Sequence, residues 1–279
     1  MQLDASDLLP VREDGILGDL RMWPDLELPH LDRRSEVYVW LPPDYDGSSD
    51  RYPVLYLHDG HNMFLPRASF AGEVWHVDRA MTRLAAEGIE AVVVAVPCHP
   101  ELRGEEYTRY AHPEHGGGRA ADYGRFLLDE LKPAVDDVLH TRPGPEHTVV
   151  AGSSLGAVVS ADLWASRPDV VGGAGLFSPA FWWPGEQALA DVEDAAATRT
   201  AAAASGRVYL DVGGQEEPDD PEIQQRYVLD AERLLGSLRR AGVPVRYVYD
   251  SGARHVEAAW AERVGPAIAW LLRGSVTAV

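Results

Sequence analysis

Two segments restrict the fold more than any others in the chain. Residues 52–57 (YPVLYL) and 89–96 (IEAVVVAV) are apolar at successive positions rather than at alternate ones. A strand with one wet face alternates polar and apolar residues, so runs this continuous need cover on both faces, as in a parallel sheet between helical layers. Between them, Val77, Ala80, Met81 and Leu84 recur at helical spacing over residues 74–86, and Gly88 supplies a C-terminal stop. The three segments predict one strand–helix–strand crossover.

The same alternation continues along the chain. Residues 119–139 carry Tyr123, Phe126, Leu127, Leu131, Val135 and Leu139 on one helical face, with a kink expected at Pro133. Strands are expected over 147–151, 171–177, 208–212 and 243–249, and helices over 154–165, 221–241 and 255–272. Earlier, residues 34–40 alternate and stop before Pro42 and Pro43, which predicts an antiparallel strand near one sheet edge, with 15–22 as its partner. The expectation is an α/β fold: one domain over residues 1–279, with a mostly parallel central sheet, helices on both faces and residues 1–14 as a peripheral N-terminal segment. A chain of 279 residues exceeds the usual ~150 per domain, but α/β folds reach this size around one sheet. The Ala-rich stretch 184–206 is read as a surface helix or connector without chemistry.

Lys and Arg number 25 against 44 Asp and Glu, and the resulting charge of −19 is scattered rather than gathered in a tail. That balance argues against nucleic acid and anionic membranes as partners. No apolar run approaches the ~20 residues of a membrane helix. The single cysteine, Cys98, cannot form an intrachain disulfide, and the first residues lack a basic start and an apolar signal core. A cytoplasmic location is expected; nothing in the pattern addresses oligomeric state.

Chemistry enters at Gly152-Ser153-Ser154-Leu155-Gly156, which lies between a β-run and a helical run. This is the G-x-S-x-G elbow, in which the central serine stands on a sharp strand-to-helix turn above the sheet. Gly152 and Gly156 are needed because a β-carbon at either place would strike the neighbouring element, and the following helix offers unpaired N–H groups to an oxyanion. Ser153, one residue early, should point elsewhere. Elbow enzymes order their triad Ser, acid, His along the chain. His255 is the one histidine after Ser154, and it follows a β-run directly. Candidate acids crowd residues 211–220; loop position favours Glu216 or Glu217, Asp211 lies within the strand pattern, and Asp219 and Asp220 suit capping of the next helix. His58, His61, His112 and His115 stand in pairs three apart, but no HExxH pattern accompanies them, so no metal and no cofactor are expected.

With VYVWLPPDY (37–45), YPVLYLHDGHNMF (52–64), ELKP (130–133), AGSSLG (151–156), FSPAFWW (177–183), DVGGQEE (211–217) and GARHVEAAW (252–260), the chain resembles the putative esterase (esterase D) family of α/β-hydrolases, most of all its enterochelin-esterase-like branch. The likeness runs from about residue 15 to 272. It implies Glu216 as the acid ahead of Glu217, and an oxyanion hole made by the backbone N–H groups of Leu155 and His61. Arg103, Glu105, Glu106 and Tyr107 resemble the family's R-x-x-E-Y segment, which implies an internal salt bridge shaping the loop 97–118. Met63, Phe64, Phe181, Trp182 and Trp183 are expected to wall a pocket suited to an aromatic or short acyl group. The function expected is that of a serine carboxylic-ester hydrolase acting on a small-molecule ester through an acyl-enzyme. An acyltransferase with the same triad, or a non-catalytic binding protein on this scaffold, are the alternatives.

Overall fold

The computed structural model describes residues 1–198 and 206–273. The two continuous apolar runs become neighbouring parallel strands, β4 (Val54–His58) and β5 (Val92–Val96), and every residue of both is buried. Helix α1 (Val77–Ala86) crosses between them. Gly88 ends that crossover at φ +77°, donating its N–H to Ala85. Alternate residues of these strands feed two cores: Val54, Tyr56, Val92 and Val94 face one, and Leu55, Leu57, Val93 and Ala95 face the other.

Ahead of them come β1 (Leu9–Pro10), β2 (Asp19–Leu28) and β3 (Arg33–Leu41), all antiparallel to their neighbours. Strand β2 starts later and runs longer than residues 15–22. The first fourteen residues are more than peripheral, since Leu3 and Leu8 are buried in the larger core. Beyond β5 lies α2 (Arg103–Tyr107), inside the long loop. The helix expected over 119–139 is continuous but not uniform: α3 (Ala120–Arg125) passes through a π-helical turn, Phe126–Leu131, into α4 (Lys132–Val138). Pro133 has no N–H to return to the preceding turn and its ring would press on it, and the wider π-helical turn lies just before it.

The remaining order is β6 (Thr148–Ser153), α5 (Leu155–Ser166), β7 (Gly173–Phe177), α6 (Glu186–Thr198), β8 (Val208–Gln215), α7 (Pro221–Arg240), β9 (Val245–Arg254) and α8 (Glu257–Leu272). Of the Ala-rich stretch, α6 is a helix that buries Leu189, Val192 and Ala196, and residues 199–205 lie outside the described residues. The strands form one sheet in the order β1-β2-β3-β5-β4-β6-β7-β8-β9, parallel from β5 to β9. Helices α1 and α8 supply one core, and α3 to α7 the other. From β4 the chain moves outward to β5 and later returns to β6 on the other side, so a crevice opens at the carboxyl ends of β4 and β6, where open α/β sheets place their sites. Among the described residues no helix is long and apolar enough to cross a membrane.

Candidate active site

Ser154 stands in that crevice, between β6 and α5, with φ 58° and ψ −120°. A non-glycine residue held there costs ~1–3 kcal/mol, and the surroundings must over-determine it. They do: the Ser154 N–H donates to Phe177 O at 2.9 Å, and its carbonyl accepts from Ala180 N–H at 3.3 Å. The flanking glycines are required by contact as expected. A Cβ on Gly152 would lie 2.9 Å from the carbonyl carbon of Gly156, and one on Gly156 would lie 2.9 Å from Asp59 Oδ2. Leu155 opens α5, so its N–H has no acceptor within the helix. Ser153 is buried in the strand and presents only its carbonyl, to Arg103 Nη2 at 3.2 Å.

The other oxyanion candidate, His61, lies on the turn after β4. Asp59 adopts a left-handed conformation at φ 54°, and a Cβ on Gly60 would lie 2.5 Å from the backbone of Ala95, so the chain can turn this closely only with glycine there. Asp59 is locked in place by Arg103, whose Nε and Nη2 reach its two oxygens at 2.8 and 2.7 Å, while the Asp59 N–H donates to Tyr107 Oη at 3.0 Å. Burial alone would raise the Asp59 carboxyl, but Arg103 holds it below the usual range. Glu106, 2% exposed, takes a paired contact from Arg33 at 2.7 and 2.9 Å and also accepts from His99 N–H. The R-x-x-E-Y segment is thus tied to the body by two ion pairs.

On the far side of Ser154, strand register assembles the acid and base. Gly213 and Gln215 pair with Asp250 and Arg254 across a bulge, so the residues after Gln215 and Arg254, Glu216 and His255, come side by side. Only glycine fits the bulge: a Cβ on Gly213 would lie 2.3 Å from Ala253 O, and one on Gly214 would lie 2.5 Å from Ser251 O. Glu216 Oε2 meets His255 Nδ1 at 2.7 Å, and Oε1 accepts the Gly213 N–H. Burial would raise the Glu216 carboxyl, but the bonded imidazole, the Ser178 hydroxyl and the Gly213 amide outweigh it and hold it low. Glu217 is exposed, its N–H donated to Gln224 Oε1 at 3.0 Å. Asp220 caps α7, accepting from Glu222 and Ile223 N–H at 3.1 Å. Asp211, fully buried, pairs with Arg263 at 2.7 Å; burial nonetheless pushes its carboxyl up to about 6.

Three residues around the pair gave no signal as site residues in the sequence. Ser178 sits at φ 46°, accepts from Trp260 Nε1 at 3.1 Å and offers its hydroxyl to Glu216. The His255 ring lies between Trp260, at 4.9 Å between centroids, and Tyr227, at 5.1 Å. Tyr227 in turn meets Trp182 edge-on at 6.0 Å.

The residues expected to wall a pocket differ in burial. Met63 and Phe64 are buried in the smaller core, where Phe64 packs on Tyr38 at 6.3 Å, and Phe181 is buried in the larger core. The turn after β4 must close the layer under α1, so its apolar residues face inward. Trp182 and Trp183 are partly exposed, with Trp183 against His115 at 4.5 Å.

Two groups of potential metal ligands occur among the described residues: Asp59, His61 and Cys98, and His112, Glu114 and His115. In the first, Asp59 is engaged by Arg103 at 2.7 Å; in the second, His112 and His115 stack at 4.5 Å with planes 17° apart.

Residues 29–271 match the family model described as "Putative esterase". An uncharacterized protein of Bacillus subtilis, YbbA, is 23% identical over 84% of this chain and 90% of its own length. Among solved structures, an IroE-like serine hydrolase from Shewanella oneidensis is similar at a TM-score of 0.73, with 18% identity over 93% of this chain and 82% of that one. The enterobactin esterase of Shigella flexneri is similar at 0.68, with 17% identity over 99% of this chain and 64% of its own.

Proposed function

Because the chain belongs to the Putative esterase family, and so is an enzyme of the esterase class, we propose that it hydrolyses small-molecule carboxylic esters through an acyl-enzyme on Ser154, with His255 as base and Glu216 as acid. The observation that carries this reading is the buried Glu216 carboxylate 2.7 Å from His255 Nδ1, in a chain whose Ser154 is held on a strained elbow. The likeness to an enterobactin esterase supports ester cleavage as the reaction.

In this mechanism Ser154 Oγ attacks the ester carbonyl carbon while His255 Nε2 takes its proton. Glu216 keeps the other imidazole proton on Nδ1 and stabilises the imidazolium. The N–H groups of Leu155 and His61 take the oxyanion, where each donor is worth ~3–4 kcal/mol. The tetrahedral adduct collapses as His255 returns the proton to the leaving alcohol oxygen. Water then attacks the acyl carbon with His255 again as base, and Ser154 leaves.

A fluorophosphonate probe should label the native protein and leave Ser154→Ala unlabelled, and the variant should lose ~10⁴–10⁶ in kcat on a p-nitrophenyl ester. EDTA should not change the native rate. Labelling that persists in Ser154→Ala, or activity that disappears with Ser153→Ala instead, would move the nucleophile.

A further inference from the structure

The turn that carries His61 is anchored at both ends. Asp59 at its start is held by Arg103. At its end Asn62 bonds in four directions: its N–H donates to Asp59 O at 2.8 Å and its carbonyl accepts from Trp75 N–H at 2.9 Å, while its Oδ1 accepts from Phe70 N–H at 3.0 Å and its Nδ2 donates to Glu257 Oε1 at 3.2 Å. The amide can face only one way, because a flip would set Nδ2 against an N–H and Oδ1 against a carboxylate. Local structure accounts for three of these bonds. The first closes the turn, and the next two hold the loop that leads to α1, whose Phe70 ring is 90% exposed and adds little packing. The fourth reaches 195 residues along the chain to the first turn of α8, and neither the loop nor the helix needs it.

That bond lies between the two halves of the proposed site. Asn62 directly follows His61, whose N–H is the proposed oxyanion donor, and Glu257 lies two residues after His255. Glu257 shares a helix face with Trp260, three residues on, and Trp260 packs on the His255 ring at 4.9 Å and on Trp75 at 5.9 Å. We propose that Asn62 is a positioning residue, whose side-chain bond to Glu257 fixes the oxyanion turn relative to the segment bearing the base. The inference rests on the serine-esterase reading. Apolar contacts resist separation without fixing direction, whereas a donor aimed at a carboxylate sets both distance and angle. An oxyanion donor must already be in place as charge develops, so a displacement of about 1 Å forfeits much of its effect. The Asn62 side chain is spent on Phe70 and Glu257, and it acts through His61 rather than on substrate.

The test measures kcat and KM on p-nitrophenyl acetate per site titrated by a fluorophosphonate, so that misfolded molecules do not count. A trifluoromethyl ketone, whose serine adduct carries an oxyanion, supplies a second readout. Asn62→Ala should lower kcat about ten- to thirtyfold and leave KM within about twofold, since both half-reactions pass through an oxyanion. The ketone's Ki should rise by the factor that kcat/KM falls. Asn62→Asp sets two carboxylates against each other and should be no better than Asn62→Ala. Adding Glu257→Gln to it interchanges donor and acceptor, so the double variant should recover about fivefold or more over Asn62→Asp. Native kcat in Asn62→Ala, a loss confined to KM, or a double variant no better than Asn62→Asp would overturn the positioning role while leaving the nucleophile in place. Native protein that neither labels nor turns over would overturn both.

Discussion

On one side of Ser154, Asp59 is gripped by Arg103 through two nitrogens at 2.8 and 2.7 Å; on the other, Glu216 meets His255 through one contact at 2.7 Å. Both carboxylates are nearly fully buried. The partner makes the difference. A guanidinium is always charged, so the Asp59 pair is a fixed clamp that shapes a backbone turn. An imidazole gains and loses its proton, so Glu216 stabilises one of two states and can take part in a reaction. Under the proposed mechanism, equal burial with unequal partners separates a structural ion pair from a catalytic one.

The sharpest way to break this contrast is to neutralise the carboxylate proposed as the catalytic acid. Glu216→Gln should cut kcat ~10²–10⁴, with little change in the thermal midpoint, because the imidazole loses its orienting charge. Steady-state kinetics beside calorimetry checks it, and a variant that unfolds with its activity intact per folded molecule would erase the distinction. The mirror experiment is Arg103→Met, which leaves Asp59 buried and uncompensated. It should cost about 3 kcal/mol of stability, measured by urea unfolding. A variant of native stability would show that the clamp is ornamental to the fold.

A third test uses pH. His58, buried under the same turn with Nδ1 2.8 Å from Tyr123 Oη, is pushed by burial down to about 4 from its ordinary 6.5. The unfolded chain therefore binds a proton that the folded chain refuses between those values, and stability falls as pH drops through that window. The loss from pH 7 to 5 should be about 2 kcal/mol by this linkage, and His58→Gln should flatten that part of the urea-midpoint profile. An identical slope in both proteins would assign the acid sensitivity elsewhere. The smallest effect belongs to Glu217→Gln, whose side chain is exposed. It should change kcat by less than about twofold, as exposed charges contribute little. A loss as large as that of Glu216→Gln would move the acid by one position.

How much of this could be read along the chain depended on how local each feature was. The buried strands, the crossover and the elbow were legible because each is written in consecutive residues: unbroken apolar runs, helical spacing, and Gly152 and Gly156 around Ser154. The candidates for base and acid followed from chain order. Side-chain direction after β4 was not legible, because nothing local shows that Met63 and Phe64 turn under α1 while Trp182 and Trp183 stay at the surface. Tyr227 gave no sign either, being one aromatic among several buried residues of an amphipathic helix.

By itself, then, the sequence determined the layered α/β architecture and the presence of a serine elbow, since both follow from patterns of a few residues that bias the backbone wherever they occur. Only the tertiary structure shows which of the two adjacent glutamates meets the histidine. The bulge between Gly213 and Gln215 turns Glu216 inward, and pairing of β8 with β9 brings it to a histidine 39 residues away. A shift of one residue in that register would exchange the inward and outward carboxylates, and register is set by strand pairing across the sheet rather than by local propensity.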